Sequence, residues 1–268
     1  MILAPEQLPI ADYHNSAPRY WSKTALKDLA AKGPKWVYGA YITKEIKRER
    51  PGGALQGLAL DCLLTEGDEA FDFGWAIRPD DLDGRTKDGK EWAVKNAHKQ
   101  ILSAKDGLIL SDAADAVTSH PIWDDIQKCQ SQLSIRQDWS PGLGLQSRPD
   151  WINLQDGVYI DLKKTADLDR FPQQAYDLGY ILQAAVCKWA LEREGTIIKD
   201  YYLVAAEWER ASRCRAYRIS EFQLSDATME MERLMGRLCS HLESGEWDEV
   251  PLHHQDLPNS WRKGRSDD

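Results

Sequence analysis

Residues 147–165 read SRPDWINLQDGVYIDLKKT, and two aspartates and a lysine in this stretch are spaced to do chemistry. Asp161 and Lys163 lie two apart on an alternating segment. In a strand such residues share a face, while Leu162 and Lys164 take the other. QDG is a turn of the kind hairpins favour, and counting back across it sets Asp150 beside Asp161 on the neighbouring strand. Two carboxylates and an ammonium then converge. Close carboxylates repel and raise each other's pKa unless a cation lies between them. Mg²⁺ is the hard cation suited to so sparse an oxygen site, since it keeps several waters and grips substrate phosphates. Lys163 would orient or help deprotonate water held there and stabilise charge on an attacked phosphate. The set is coherent as a phosphodiester hydrolase. The same spacing also makes an ordinary cross-strand salt bridge between Lys163 and one aspartate, and from the residues alone both remain open.

The elements that must position these groups follow from patterning. Residues 1–20 read as an irregular lead-in. Ser22 is a good N-cap for KTALKDLAAKG, with Gly33 as the stop and Pro34 beyond it. PKWVYGAYITKEIKRE predicts a second helix closed by the turn RPGG, and ALQGLALDCLLTEG an apolar helix with Gly67 past its end. FDFGWAIRP reads as a short strand, Asp80 to Lys90 as a loop, and EWAVKNAHKQILSAKDG as a helix. SDAADAVTSHPIWDDIQKC opens with a serine cap on another. After Cys129 the pattern alternates: SQLSIRQDW, LQSRPDWIN and VYIDLKK are strands. RFPQQAYDLGYILQAAVCKWALEREG predicts one long helix ending at Gly195, followed by the strands KDYYLVAAEW and CRAYRIS and a helix from Glu221 to Glu243. The order predicts an α/β fold in which a mixed central β-sheet is flanked by helices. There is no internal repeat or linker. A single domain over 1–247 is expected, helical over about 1–128 and carrying the catalytic sheet over about 129–247, with 248–268 as an extended arm.

Composition excludes several classes. At 268 residues and 42% hydrophobic, the chain can bury a sizeable core without disulfides. No apolar run reaches membrane-spanning length. The N-terminus lacks the basic region and cleavage site of a signal peptide. Five scattered cysteines without a CxxC pair disfavour a disulfide framework, a zinc site or an iron–sulfur cluster, and fit a reducing cytoplasm. A net charge of −9 argues against a broad nucleic-acid binder. Residues 1–60, however, hold nine Lys or Arg against five Asp or Glu, a surplus of four positive charges that leaves −13 to the remainder. A phosphate-binding surface would therefore be local and N-terminal. A run of solvated lysines explains the same count. The eleven tryptophans read mostly as core or oligomer-interface residues, with stacking on a frayed base as the alternative.

RPDWINLQDGVYIDLKKT resembles the signature of the PD-(D/E)xK nuclease superfamily, and within it the RecE-type exonucleases (exodeoxyribonuclease VIII-like) of phages and prophages. The likeness is carried by Arg148-Pro149-Asp150, Asp161-Leu162-Lys163, Thr165, Tyr180 and Gln183. The segment YHNSAPRYWSKTALKDLAAKGPKWVY, the helix ALQGLALDCLL and the stretch LSDAADAVTSHP extend it over about residues 12–247. The resemblance implies that Asp150 and Asp161 bind metal, with the Leu162 carbonyl as a further ligand, and that Lys163 is catalytic. Tyr180 and Gln183 would border the site. On a single helix Tyr176, Tyr180 and Gln183 would share one face, and an amphipathic helix resting on the sheet would do the same. Arg148 would hold a phosphate or pair with an exposed acid. His14, Ser22 and Lys23 would lie near the DNA entrance. One position departs: the histidine ligand expected four residues after Gly57 is Asp61. An aspartate can ligate Mg²⁺, and a decayed site is the alternative. The other histidines show no metal spacing, His253-His254 in the tail included.

The resemblance further implies a Mg²⁺-dependent exonuclease, with Mn²⁺ able to substitute, that digests one strand of linear double-stranded DNA processively 5′→3′. It implies a homo-oligomeric ring, trimer or tetramer, and a single-strand annealing partner of the RecT/beta type in a bacterial or phage-infected cytoplasm. A structure-specific or restriction-like endonuclease of the same fold is one alternative, and a catalytically decayed DNA-binding protein another.

Overall fold

A computed structural model describes residues 1–48 and 53–248. β1 (Ile2–Leu3) and α1 (Ile10–His14) lead into β2 (Tyr20–Ser22). α2 (Lys23–Lys32) starts and stops where the sequence predicts, although Ser22 makes no side-chain capping bond. α3 (Pro34–Val37) opens on its proline, as the ring's fixed φ favours, and passes into a π-helical turn at Tyr38–Ile42. The helix expected to run through KEIKRE therefore ends early, where Lys44 at φ +60° turns the chain away. The expected RPGG turn lies outside the described residues apart from Gly53.

α4 (Ala54–Thr65) is as predicted. The next three segments are not. α5 (Asp68–Gly74) takes the first half of the expected strand and leaves only β3 (Trp75–Ile77) extended. α6 (Lys87–Lys95) and β4 (Gln100–Leu102) divide the first of two expected helices, because parallel pairing of β4 with β3 overrides the helical pattern, and α7 (Ala104–Thr118) joins its end to the start of the second. Ser103, not Ser111, caps α7: its hydroxyl accepts from the Asp106 N–H at 3.0 Å. α8 (Trp123–Ile126) closes this half.

Then come β5 (Gln130–Ser131), β6 (Ser134–Ser140), β7 (Leu143–Ser147), β8 (Trp151–Asn153) and β9 (Val158–Thr165). The stretch LQSRPDWIN, expected as one strand, is thus two. β7 belongs to a four-stranded sheet of order β1-β6-β7-β2, whereas β8 belongs to a second, five-stranded sheet. The long helix is also two, α9 (Phe171–Asp177) and α10 (Tyr180–Arg193), separated at Leu178-Gly179. β10 (Asp200–Glu207), β11 (Cys214–Arg218) and α11 (Glu221–Ser244) complete the described chain, and Ser220 with Gln223 forms a capping box on α11. The arm expected from Asp248 lies, beyond Asp248 itself, outside the described residues.

The five-stranded sheet runs β11-β10-β9-β8-β5, antiparallel except for the parallel pair β9–β10. Its two faces feed different cores. Tyr159, Tyr201, Leu203 and Ala205 face α10, α2, α11 and the smaller sheet. Ile160, Leu162, Val204 and Ala206 face α4 and α7. α10 is apolar nearly all round because it is covered on several sides, by β6, β7, α2 and α11. The architecture is mixed α/β with mixed sheets flanked by helices. Among the described residues no helix is long and apolar enough to cross a membrane.

Candidate active site

The hairpin that sets the site follows from register. β8 and β9 pair antiparallel as Asn153↔Val158, Ile152↔Tyr159 and Trp151↔Ile160, so the next step brings Asp150 opposite Asp161. The turn is closed by Asn153, whose side-chain oxygen accepts from the N–H groups of Gln155 and Asp156 at 3.0 and 2.9 Å. Gly157 supplies the φ of +77° that returns the chain. Asp150 then accepts the Leu162 N–H at 2.6 Å through Oδ2.

Asp161 is wholly buried, and two side chains answer its charge. Lys163 forms an ion pair with Oδ2, along one strand rather than across two, and Gln183 from α10 donates to Oδ1 at 2.8 Å. Lys163 also donates to the Leu162 carbonyl at 3.0 Å. Burial pulls the Lys163 ammonium down, but the charges of Asp161 and Asp150 outweigh it and hold its pKa above the ordinary lysine range. It is therefore a hydrogen-bond donor and a fixed positive charge rather than a base. Asp61, projecting from α4, joins the pair. Burial, against the pull of Lys163 and with the repulsion of Asp161, pushes its carboxyl up to about 6. Burial first, then the charges of Asp161 and Asp150's other neighbour Asp61, raise Asp150 well above the usual carboxylate range.

This donor set suits a hard divalent cation: three carboxylates and a carbonyl, all oxygen, with two of the acids raised by burial and mutual repulsion that a cation would relieve. It is not a closed cage. Among the described residues no three or more His, Cys, Asp or Glu side chains stand ready-made around a metal position. Mg²⁺ is ordinarily held by one or two carboxylates together with waters and substrate phosphates, so the open set fits it.

Around the carboxylates the structure gathers some expected residues and separates others. Two ammoniums lie near the Tyr180 ring, Lys163 at 5.0 Å and Lys23 at 5.2 Å from its centre. Burial, then the charge of Lys163, pulls Lys23 down to about 8. Arg148, half-buried, donates weakly to the Leu8 carbonyl at 3.4 Å and makes no ion pair among the described residues. Tyr176 does not share a face with Tyr180 and Gln183, because the helix breaks between them. It is 52% exposed, and its hydroxyl accepts from Gln223. His14 and Ser22 line a small N-terminal cleft with Tyr13, Tyr41, Arg48 and Gln146. A neighbouring cleft of about 150 Å³, lined by His14, Asn15, Tyr41, Lys44 and Arg48 among others, contains none of the carboxylates. One residue at the site had no sequence signal. Gln132, just after β5, reaches Asp61 with its side chain and Asp150 with its backbone. Only the folded chain brings it there.

A family model described as a PDDEXK-like domain of unknown function (DUF3799) matches residues 26–250. The chain belongs to this family. In this PDDEXK-like chain the P-D letters fall on Pro149-Asp150 and the D-x-K letters on Asp161-Leu162-Lys163. The fold is similar to the crystal structure of a protein from Eubacterium rectale described provisionally as an exonuclease, at 15% identity and a TM-score of 0.66, over 100% of this chain and 95% of that one. Two further solved structures overlap too loosely to carry an argument. They are SSO0001 (10% identity, TM-score 0.33, 78% of this chain and 86% of that) and LHK-Exo in complex with dAMP (12%, 0.31, 71% and 91%). No curated protein matches the sequence. The PDDEXK-like chain thus has a nuclease-like fold.

Proposed function

We propose that the protein is a Mg²⁺-dependent exodeoxyribonuclease of the RecE type that digests one strand of linear duplex DNA, 5′→3′ and processively. The observation that carries this reading is the apposition of Asp150 and Asp161 across the hairpin, with Lys163 on Asp161 and Asp61 beside them. Mg²⁺, or Mn²⁺ in its place, would be held by Asp61, Asp150, Asp161 and the Leu162 carbonyl, and when bound would supply Lewis-acid polarisation of the scissile phosphate. Lys163 Nζ donates to a phosphate oxygen and stabilises the charge that grows there during attack. Gln183 holds the Asp161 carboxylate in place through its amide. The Tyr180 ring packs beside both Lys163 and Lys23, and Arg148 and Lys23 receive flanking phosphates.

An acidic chain can thread DNA if its basic N-terminal surface lines the channel of a ring while acidic surface faces outward. That arrangement supports the trimer or tetramer, and release of a 3′ single-stranded overhang supports hand-over to an annealing protein of the RecT/beta type. The test uses linear duplex labelled at one 5′ end beside a covalently closed circle, with Mg²⁺ or with chelator. Mononucleotides from the linear substrate alone, abolished by chelator, are the expected result. Cleavage of the circle would replace the exonuclease with an endonuclease. Binding of DNA without hydrolysis of either would mean that Asp61 marks a decayed site.

A further inference from the structure

Gln132 stands in an unfavourable backbone conformation for a residue with a side chain. Its φ is +56°, in the left-handed region, where a Cβ costs about 1–2 kcal/mol. Such strain persists where the surroundings over-determine it, and it gathers at functional sites. Here the surroundings are the two acids, one from α4 and one from the hairpin. The Gln132 backbone N–H donates to the Asp150 carbonyl at 3.0 Å. Its side-chain Nε2 lies 3.3 and 3.4 Å from the two carboxylate oxygens of Asp61, and 3.3 Å from Thr65 Oγ1. Thr65 Oγ1 donates in turn to the Asp61 carbonyl at 2.8 Å, which ties the cluster back to α4.

A turn alone would be served better by glycine. A side chain that is kept despite the strain, and that ends on a carboxylate, has work to do at that carboxylate. The amide is also the right chemistry. It donates to Asp61 without adding a positive charge that would compete with a cation for it. We infer that Gln132 is a positioning residue of the metal site, spanning Asp61 and Asp150 so that the acid from α4 is fixed against the acid from the hairpin. This rests on the metal-dependent reading above and adds to it the device that brings a third acid into the site.

The test reads metal binding without DNA, as the rise in Tm on adding Mg²⁺ alone. Q132G removes the strain together with the amide. The metal-free variant is expected to melt at or above the wild-type Tm, while the Mg²⁺ midpoint moves up about 10-fold, the lower end of what losing a ligand-orienting partner costs. Q132N tolerates the left-handed backbone but is one methylene shorter, and should fold as wild type with the same upward shift. In a D61A background Q132G should leave the midpoint where D61A alone puts it. A wild-type midpoint in either single variant overturns the inference and leaves the metal site standing. A wild-type protein whose Tm ignores Mg²⁺ overturns both.

Discussion

At the scale of single residues, the site is governed by how Asp161 is paid for in charge. A wholly buried carboxylate with only an amide for company would cost several kcal/mol, and the Lys163 ammonium is what offsets it. Lys163→Met should therefore destabilise the fold by about 3–5 kcal/mol, read by urea denaturation, and lower the cleavage rate by about 10²–10³-fold. Pairing it with Asp161→Asn should restore most of the stability and none of the activity. A double variant as unstable as the single would show that the pair is not what holds this strand. Asp150, Asp161 and Lys163 were legible in the sequence because strand alternation and a short turn reduce their geometry to counting. Gln132 was not, because nothing local marks a glutamine whose partner lies 71 positions away on another element.

Elements decide which of the legible residues reach the site. The periodicity of 171–195 runs unbroken through Gly179, since glycine inside a helical pattern is tolerated, so the sequence predicts a single helix. The structure breaks it there because α2 supplies what the break exposes. Lys23 and Lys27, one turn apart, donate to the Leu178 and Asp177 carbonyls at the end of α9. Gly179 takes φ +68° and starts α10 on a new axis, carrying Tyr180 and Gln183 to the carboxylates and leaving Tyr176 behind. Gly179→Ala should cost about 1–2 kcal/mol in chemical denaturation, since its Cβ meets only ordinary contacts, the nearest at 3.5 Å. It should also slow cleavage through the displaced Gln183. At the far end of β10 the ion pair with Arg213, together with the Leu168 N–H, holds the buried Glu207 below the ordinary glutamate range. A depressed carboxyl gives stability that is complete above its unfolded pKa and lost as pH falls through the lowered folded value. Glu207→Gln should thus flatten the loss of Tm on acidification below pH 4.5, and an unchanged acid limb would remove this pair from the account.

For the whole molecule, the sequence predicted a mixed sheet between helices and the structure has one, with a second sheet beside it that patterning did not separate. The reason is Arg148-Pro149-Asp150. β7 and β8 each alternate as strands, and a prolyl residue between them reads as a strand edge, whereas in space it is the passage from one sheet to the other. The charge distribution makes a prediction at this scale. Each phosphate neutralised contributes about −0.9 to the slope of log affinity against log salt. With Lys23 and Arg148 as the cations near the site, binding of duplex by an inactive Asp161→Asn protein should show a slope of about −2 by fluorescence anisotropy. A slope near zero would remove these cations from the DNA path.

The parallel pairing of β9 with β10 has a consequence for how such a protein comes into being. Lys163 aligns with Ala205 and Asp161 with Leu203, so the strand that bears the reactive groups waits for a partner some forty positions further along. A chain still emerging from the ribosome already holds all three acids and the lysine, yet it lacks the neighbour that fixes them. On the function proposed above, the newborn polypeptide is expected to be inert until β10 has been made and has closed against β9.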